Sequence, residues 1–510
     1  MSSGVVTIGP DPLTPAAVTD VAHGRARVEV TGTAVEVMAK ARNRVEALRD
    51  SPAPVYGVTT GVGALAGRRI PADRRLALQR SLVRSHAAGA GGLVEREVVR
   101  ALMLLRAHTL ATGVAGARPE VALALAAMLN AGITPAVREH GSLGCSGDLA
   151  PLSAVALTLT GEGAVVSADG AEADAATALR EAGLRPLDLE EKEGLSLING
   201  TDGMLGMLVL AADRFANLLD TADVTAAMSV EALLGSDRVF AADLQALRPH
   251  PGQAHSAARI SALLRGSEIV GGAGRVQDAY SLRCAPQVHG AARDSLAHAE
   301  AVAARELASA IDNPAVLEDG RIESNGNFHG APLAYVLDFL AIPAADVASI
   351  AERRTDRLLD PARSAGLPAF LAEESGVDCG LMIAQYTQAG VVAELKRLAV
   401  PASVDSIPTS AMQEDHVSMG WAAARKLLRA LDGVTTVLAV ELLTAARALE
   451  LRAPLRPSPG TSDAVALLRE RVPGFGADRY LTPEIDAAAD LIRSGRLAGR
   501  ARMLVCRPNA

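Results

Sequence analysis

The chain has 510 residues, of which 49% are apolar and only 2% are aromatic, and its formal net charge is −8. The charges are spread without long runs, which excludes a strongly basic surface for nucleic acid or for an anionic membrane. This length allows roughly two to four structural units with a large core. Alanine and leucine dominate the apolar residues, which favours helix packed on helix over sheet. We therefore predict a mainly all-α fold, in which a smaller N-terminal domain precedes a long central helical bundle.

The cysteine content indicates a reducing environment. None of the four cysteines belongs to a CxxC pair, and their wide spacing predicts no disulfide framework. We expect a cytoplasmic location, because no basic region followed by an apolar core opens the sequence. The longest uncharged run, residues 121–137, is too short to span a membrane and predicts a core helix with a turn. The cysteines are Cys145, Cys284, Cys379 and Cys506.

The first predicted elements are a strand and a helix. Ala26–Val30 is a candidate short strand, and residues 34–49 have the period of an amphipathic helix with a basic face. Residues 51–67 then form a glycine-punctuated loop that holds Tyr56, one of only five tyrosines. A tyrosine in a loop is usually a surface or packing residue, so Tyr56 alone indicates no chemistry.

Two helices are predicted within residues 73–113, and they are interrupted near residues 88–92. Ser85 and His86 lie at the end of the first of these helices. A single histidine near a helix end is usually a capping or core residue, and the pattern alone favours that interpretation.

The tripeptide Cys145-Ser146-Gly147, here called the ring tripeptide, lies among small residues in the segment 140–163. The amide nitrogen of Gly147 can attack the Cys145 carbonyl if the backbone folds back, because glycine has no Cβ. Loss of water closes an imidazolone ring with a Cys–Gly cross-link, and loss of the Ser146 hydroxyl leaves a dehydroalanine. The product would be 4-methylidene-imidazole-5-one, a strong electrophile. Taken alone, the three residues also fit a glycine-rich loop that caps a core helix.

A helix is predicted directly after the ring tripeptide. Asp148 is a candidate N-cap, Pro151 fits a first helical turn, and the apolar run 149–159 predicts a buried helix. A ring at this position would lie at the positive end of the helix, which favours negative charge on the ring.

A domain boundary is predicted near residue 198. Residues 164–189 precede it and predict a surface insertion with a hairpin and a short acidic helix. Asn199-Gly200 by itself predicts a turn. We place the boundary at this turn, so that residues 1–198 form the N-terminal domain and residues 199–510 form the helical bundle and the C-terminal region.

Long helices dominate the second part of the chain, with patterns over residues 203–235, 294–311, 331–353 and 421–451. The last of these would be a rod of about 45 Å, which is difficult to bury inside one subunit. Its apolar residues recur at three- and four-residue steps and form one stripe, which we expect to be buried between subunits. The stripe consists of Leu427, Leu431, Val434, Leu438, Leu442, Ala445 and Leu449.

The segment around the ring tripeptide resembles the signature of the aromatic amino-acid ammonia-lyases. Most members carry alanine where this chain has Cys145. This difference should be tolerated, because only the backbone carbonyl of residue 145 reacts. The Tyr56 loop is similar to the family's Tyr-Gly-x-x-Thr-Gly-Phe-Gly motif, with Val62 in place of phenylalanine. The resemblance covers roughly residues 10–500, with further motifs at residues 199–201, 274–290, 323–332 and 410–420.

The resemblance implies catalytic roles for several residues. Tyr56 would be the base, and Asn199 would hydrogen-bond the ring or the substrate amine. Arg283 would clamp the substrate carboxylate, because its planar fork pairs with both oxygens, and Tyr280 and Gln277 would lie beside the ring. A tyrosine has an ordinary pKa of about 10, so we expect the site to lower the pKa of Tyr56.

The resemblance also implies a substrate. His86 and Glu414 are typical of the members that act on histidine, whereas relatives that act on phenylalanine or tyrosine tend to have glutamine at the second position. Phe328 resembles the aromatic residue next to the cofactor. The expected reaction is the non-oxidative deamination of L-histidine to trans-urocanate and ammonia, by a homotetramer with shared active sites. We expect no diffusible cofactor, no nucleic-acid or membrane partner and no metal, since His329 and His416 lack ligand spacing.

Three other functions remain open. The chain could be a tyrosine or phenylalanine ammonia-lyase, or an aminomutase of the same family, although His86 and Glu414 argue against both. A serine hydrolase that uses Ser146 is disfavoured, because the tripeptide lacks the G-x-S-x-G elbow. An inert helical scaffold would not need Tyr56, Arg283 and Glu414 together.

Overall fold

The computed structural model describes residues 4–49, 52, 54–167 and 169–505. Cys506 and the N-terminal methionine lie outside the described residues. Helices form most of the described chain and its strands are short, so the prediction of a mainly all-α fold is confirmed.

The elements of the first part of the chain are β1 Gly4–Ile8, α1 Pro15–Ala22, β2 Ala26–Val30, α2 Gly32–Ala47, α3 Arg75–His86, β3 Ala90–Leu93, α4 Arg96–Ala111, α5 Pro119–Asn130, β4 Arg138–His140, α6 Leu149–Leu159, β5 Ala164–Val166, β6 Glu172–Asp174, α7 Ala175–Glu181 and α8 Glu193–Ile198. The remaining elements are α9 Asp202–Ala232, α10 Ala242–Ala246, α11 Pro251–Leu264, α12 Tyr280–Arg283, α13 Ala285–Leu307, β7 Ala315–Val316, β8 Ile322–Glu323, α14 Ala331–Leu359, α15 Met382–Leu398, α16 Gly420–Glu450, α17 Pro459–Arg469, α18 Thr482–Arg493 and α19 Arg496–Val505.

By internal contacts the chain forms two compact units. Unit 1 comprises Met1–Leu210, Glu300–Leu337 and Ala402–Arg425. Unit 2 comprises Ala211–Ala299, Asp338–Pro401 and Lys426–Ala510. The predicted domain boundary between residues 198 and 199 stays a prediction.

Unit 1 contains four two-stranded sheets within its described residues. The predicted strand Ala26–Val30 is confirmed and pairs in parallel with β1, with Gly4 opposite Ala26. The predicted hairpin and the short helix after it are also confirmed, because β5 and β6 pair antiparallel and α7 follows them. The helix is not acidic as expected, since α7 contains one arginine and one glutamate. Helix α4 forms the centre of the unit, since every residue from 98 to 111 is buried.

The ends of the helices are explained by the local sequence. Thr14 and Thr31 accept hydrogen bonds from the amides three residues further on and begin α1 and α2. Such caps satisfy amides that have no partner inside the helix. Helix α3 contacts both α6 and α8, the helix that follows the ring tripeptide and the helix that ends just before Asn199. Three helices therefore lie around the segments that the sequence analysis assigned to chemistry.

Helix α16 agrees with the predicted helix 421–451 within one residue at each end. All seven residues of its apolar stripe are at most 2% exposed within the single chain. The prediction that this stripe lies between subunits is wrong, because the chain itself covers the stripe. Burial against other helices of the same chain satisfies the amphipathic pattern, and length alone did not reveal this.

Two other long helices differ from their predicted limits. The helix expected over residues 294–311 is α13, which begins at Ala285 and ends at Leu307. Pro286 lies in its first turn, where the missing amide proton costs no hydrogen bond. Helix α14 begins at Ala331 as predicted, but it continues through Pro343 to Leu359.

One helix among the described residues, α14, is long and apolar enough to cross a membrane by length and composition alone. About 61% of its apolar window is buried within the chain. The core helix of a soluble protein passes the same test, so α14 is weak evidence for a membrane segment.

Candidate active site

The ring tripeptide lies directly against the segment that follows α8. Ser146 and Gly147 both have positive φ values, 48° and 80°, so the backbone turns sharply between them. Gly147 forms a parallel bridge with Gly200, and a Cβ at residue 147 would lie only 1.9 Å from the Gly200 carbonyl oxygen. No other residue fits at position 147. The two motifs that the sequence analysis singled out are therefore in contact.

Asp148 occupies the N-cap position of α6, as predicted, but its side chain does not cap that helix. The carboxylate instead accepts hydrogen bonds from the amides of Gly203 and Met204, at 2.9 and 3.0 Å, in the first turn of α9. Ser142 Oγ donates to the other oxygen at 2.8 Å. Burial raises the pKa of Asp148 to about 7, and the three hydrogen bonds oppose this rise. Asp148 thus fixes the ring tripeptide to the start of α9.

Asn199 is held from both its backbone and its side chain. Arg106, which is fully buried, donates to the carbonyl oxygen of Asn199 at 2.8 Å. The Asn199 amide donates to the Asn313 carbonyl at 2.7 Å. Asp312, the residue before Asn313, pairs through Oδ2 with Lys192 Nζ at 2.5 Å, and both side chains are fully buried. Burial lowers the pKa of Lys192, and the charge of Asp312 opposes this effect.

Buried ion pairs of this kind add little net stability but lose much when one partner is removed. The role of the Lys192–Asp312 pair here is geometric, since Asp312 Oδ1 also accepts from Asn199 Nδ2 at 3.4 Å and helps to hold that side chain beside the ring tripeptide.

Glu414 is presented by a left-handed turn. Ser410, Ala411 and Met412 have φ values of 51°, 52° and 67°. A side chain in this region is strained by about 1–3 kcal/mol for each residue. The turn is closed by two backbone hydrogen bonds between Thr409 and Glu414, of 3.0 and 3.3 Å. Strain of this kind persists only where surrounding contacts enforce it.

The Glu414 carboxylate contacts the ring tripeptide directly. Ser146 Oγ donates to Oε1 at 3.2 Å, and Cys145 Sγ donates to Oε2 at 3.2 Å. Thr409 Oγ1 donates to the same Oε2 at 3.0 Å. Burial, together with the charge of Glu414, raises the pKa of the Cys145 thiol to about 12. The thiol is therefore neutral at physiological pH and acts as a hydrogen-bond donor.

Tyr56 is half-buried, and its hydroxyl oxygen accepts a hydrogen bond from the Gly63 amide at 2.8 Å. Burial raises the pKa of Tyr56, the Gly63 amide lowers it, and the charge of Glu414 raises it further. The expectation of a lowered pKa is therefore wrong for this chain, because burial and a nearby carboxylate outweigh one amide. The Tyr56 loop reaches the Glu414 turn, since a Cβ on Gly63 would lie 3.2 Å from Ser410 Oγ.

His86 and Phe328 are both half-buried residues of unit 1. His86 Nδ1 hydrogen-bonds to the Leu82 carbonyl at 2.9 Å and to Ser85 Oγ at 3.1 Å. The hydrogen bonds of His86 are thus local to the end of α3, whereas Tyr56, Asn199 and Glu414 lie around the ring tripeptide.

Gln277, Tyr280 and Arg283 lie together in unit 2. Gln277 precedes the short helix α12, and Tyr280 and Arg283 are the first and last residues of that helix. Gln277 is exposed, and Tyr280 is 71% exposed. The Arg283 guanidinium stacks over the Tyr280 ring at 4.7 Å, and its buried Nε atom has no hydrogen-bond partner among the described residues. An arginine with unused donors is chemically suited to bind a carboxylate.

Sequence reasoning missed several residues of this site. Thr409, Arg106 and Lys192 gave no signal, since Lys192 lies in the charged run EEKEG, which predicts a solvated surface. His329 and His416 also come together, with Nε2 and Nδ1 3.3 Å apart and the rings stacked. Among the described residues, no group of three or more histidine, cysteine, aspartate or glutamate side chains could hold a metal ion.

Comparison with known proteins identifies sequence and structural relatives. A profile of the family described as aromatic amino acid lyase matches residues 13–470. The chain is 61% identical to a histidine ammonia-lyase of Streptomyces avermitilis over 497 residues, which are 96% of this chain and 97% of the relative.

Solved structures with the same fold act on different amino acids. A tyrosine aminomutase from Streptomyces globisporus is 38% identical, has a TM-score of 0.93, and aligns over 99% of both chains. A histidine ammonia-lyase from Trypanosoma cruzi is 37% identical, has a TM-score of 0.91, and aligns over 98% of this chain and 95% of its own. The fold alone therefore does not distinguish these activities.

Proposed function

Because this chain belongs to the aromatic amino acid lyase family, we propose that it catalyses the non-oxidative deamination of L-histidine to trans-urocanate and ammonia. Relatives that are 60–61% identical over nearly the whole chain are histidine ammonia-lyases. The sequence identity to these relatives is much greater than the 38% identity to the tyrosine aminomutase.

The observation that carries the assignment of substrate is the contact between Glu414 and the ring tripeptide. A carboxylate next to the reacting centre is suited to an imidazole N–H or to an imidazolium ion, and is poorly suited to a phenyl ring. Glu414 lies 3.2 Å from Ser146 Oγ, which is within reach of any substrate held at the ring.

The residues of the tripeptide fit formation of 4-methylidene-imidazole-5-one. The positive φ values of Ser146 and Gly147 fold the backbone back on itself, and Gly147 has no Cβ to obstruct attack of its nitrogen on the Cys145 carbonyl. We include this ring in the proposal as a group that the chain makes from its own residues, with no diffusible cofactor. When formed, it supplies an electrophilic methylene carbon that makes the substrate amine a better leaving group.

Tyr56 is the proposed base that removes the β-proton of histidine. The Gly63 amide donates to its oxygen at 2.8 Å and would stabilise the phenolate. Since burial raises the pKa of Tyr56, the base is formed increasingly at alkaline pH.

Arg283 is the proposed clamp for the substrate carboxylate. Its buried Nε atom lacks a partner among the described residues, and its stacking on Tyr280 fixes the plane of the guanidinium. Tyr280 and Gln277 would orient the substrate on this side, and Asn199 would do so beside the tripeptide.

Glu414 and His86 are the proposed partners of the substrate imidazole, and Phe328 would pack against the ring. His86 Nδ1 is already engaged with the Leu82 carbonyl, so Nε2 is the atom available to the substrate. Glu414 carries the charge and is expected to contribute more than His86.

The alternative function is that of a tyrosine or phenylalanine ammonia-lyase, or of an aminomutase. The likeness to the tyrosine aminomutase structure supports it at the level of fold. An aminomutase would return the amine to the β-carbon instead of releasing ammonia, so the two activities give different products from the same chain.

We also propose a homotetramer with active sites shared between chains, located in the cytoplasm. Apolar side chains on the outer faces of two helices of unit 2 support association, because large exposed apolar patches usually mark interfaces. Phe339 and Ile342 of α14 and Ile383 and Tyr386 of α15 are exposed in the single chain. A fully active monomer in light scattering would refute this part of the proposal.

The deciding experiment incubates the purified chain with L-histidine, L-tyrosine and L-phenylalanine. Formation of urocanate and free ammonia from histidine, with kcat/KM well above the values for the other two, is expected. A β-amino acid product, or a preference for tyrosine, would favour the alternative. Intact mass on the same preparation tests the ring, since its formation removes two water molecules.

A further inference from the structure

The two oxygens of the Glu414 carboxylate have different donors. Oε2 accepts from Thr409 Oγ1 at 3.0 Å and from Cys145 Sγ at 3.2 Å. Oε1 accepts from Ser146 Oγ at 3.2 Å. The first two donors survive any chemistry of the backbone, whereas the third is the hydroxyl that ring formation removes.

The position of Thr409 follows from the left-handed turn. Its two backbone hydrogen bonds with Glu414 bring these residues side by side across the turn, so that hydroxyl and carboxylate face each other. The strained residues 410–412 therefore present an already paired carboxylate to the ring tripeptide. Pairing of Oε2 fixes the direction in which Oε1 points.

Ring formation changes the partners of only one oxygen. The Ser146 Cβ–Oγ bond breaks, the proton leaves the α-carbon, a Cα–Cβ double bond forms, and hydroxyl and proton depart as water. We propose that this loss converts Oε1 into the acceptor for the substrate imidazole N–H, and that Thr409 and Cys145 are positioning residues that keep Oε2 in place. This inference rests on the proposed deamination of histidine, and it makes recognition of the substrate dependent on maturation of the ring.

Cys145 has the lesser part in this arrangement. A thiol is a weak hydrogen-bond donor, and the hydroxyl of Thr409 makes the shorter contact with the same oxygen. Removal of the thiol should therefore matter most when Thr409 is also changed, because both donors serve one acceptor.

Kinetics of mature enzyme test the positioning role. Thr409→Val keeps the shape of the side chain and removes the donor, so kcat/KM for histidine should fall by about 10- to 100-fold, mainly through KM. Thr409→Ser should restore the wild-type value within a few-fold, and Cys145→Ala should lower it less than Thr409→Val does. Thr160→Val is the matched control, since the hydroxyl of Thr160, the residue after the end of α6, donates to the Leu157 carbonyl of that helix. Intact mass should show the same ring content in all four variants.

A second test measures the binding of L-histidine to a variant that cannot turn it over. Ser146→Ala cannot form the ring and also lacks the hydroxyl on Oε1, so it should bind L-histidine in calorimetry. Adding Thr409→Val in this background should raise Kd about tenfold or more, and adding Thr160→Val should leave it unchanged.

The outcomes separate the two proposals. If the wild type forms urocanate but Thr409→Val matches Thr160→Val in both assays, the positioning role is refuted and the proposed function stands. Loss of ring content in Thr409→Val would also refute it, because the contact would then serve maturation. A wild type that forms no urocanate from histidine would refute both.

Discussion

The ring tripeptide region of unit 1 and the 277–283 segment of unit 2 differ in whether the polar side chains assigned to chemistry already have partners. Around the ring tripeptide, the side chains of Glu414 and Asn199 are paired within the single chain. In the 277–283 segment, Tyr280 is largely exposed and Arg283 keeps a buried donor without a partner among the described residues.

The difference follows from what each region must bind. A group made from the backbone needs fixed geometry before any substrate arrives, which explains why the side chains of Glu414 and Asn199 beside it already have partners. A group that binds a substrate carboxylate must keep donors unused until then, because an occupied donor would have to exchange partners. Twelve buried side-chain polar atoms among the described residues have no hydrogen-bond partner, and one of them is the Nε atom of Arg283, the residue assigned to the carboxylate.

Ser146→Ala should have the largest effect, since it removes the source of the electrophile. We expect activity to fall to background and the mass difference of two water molecules to disappear, with an unchanged circular dichroism spectrum. Ser153→Ala is the control, because the Ser153 hydroxyl donates to the Leu149 carbonyl in α6. Retention of activity by Ser146→Ala would show that the ring tripeptide and the side chains paired around it have only a structural role.

Arg283→Met should come next. A bidentate clamp has two charged hydrogen bonds, so kcat/KM should fall by about two to four decades. Arg321→Met, which breaks an exposed pair with Asp319, should leave activity intact.

Complementation tests whether the two regions act within one chain. Tyr56→Phe and Arg283→Met are expected to be inactive alone. If each site takes these residues from different subunits, mixed oligomers should regain about a quarter of wild-type activity. Failure to regain activity in verified mixed oligomers would indicate that each site is built from one chain.

Glu414→Gln should lower kcat/KM for histidine by about one to two decades, because it removes a charged hydrogen bond. The loss for tyrosine or phenylalanine should be smaller, since their rings offer no N–H. Asp415→Asn is the neighbouring control. Equal losses for all three substrates would mean that Glu414 serves the ring and not the imidazole.

The pH dependence should follow Tyr56. Burial, with the charge of Glu414, raises its pKa, so the phenolate that acts as base becomes more abundant as pH rises. Below that pKa, kcat/KM should increase by about tenfold per pH unit. Glu414→Gln removes a charge that raises the pKa, so its ascending limb should shift to lower pH. An unshifted limb would assign the titration to another group.

His86→Leu should have the smallest effect, about two- to tenfold on kcat/KM, the value of one neutral hydrogen bond. His23→Leu is a close control, because His23 Nδ1 bonds the carbonyl of Thr19 as His86 Nδ1 bonds that of Leu82. A loss larger than that of Glu414→Gln would reverse the proposed order of the two residues.

Much of the fold could be predicted from local patterns. The strand Ala26–Val30, the break between α3 and α4, and the limits of α16 follow from side-chain periodicity and turn residues. Burial of the α16 stripe within the chain could not be predicted, because periodicity gives the apolar face of a helix and not the element that covers it.

The candidate site was predicted as a set of residues and less well as a geometry. Gly147 and Asn199 were identified from motifs, but the contact between Gly147 and Gly200 joins segments more than fifty residues apart. Asp148 was expected to cap its own helix, and it caps α9 because the turn at Gly147 directs its side chain there. The pKa of Tyr56 depends on burial and on Glu414, neither of which is visible in the Tyr56 loop.

The contact between Gly147 and Gly200 also limits how a lineage that carries this chain can diversify. A side chain at residue 147 would overlap the Gly200 carbonyl, and one at residue 200 would meet Asp202 and the buried Arg106 at 2.5 and 2.7 Å. A substitution at one of these positions cannot be compensated later by a substitution at the other, because each single substitution already disrupts the contact. New substrate preferences must therefore arise through side chains around an inherited backbone, at positions such as 86, 145, 409 and 414.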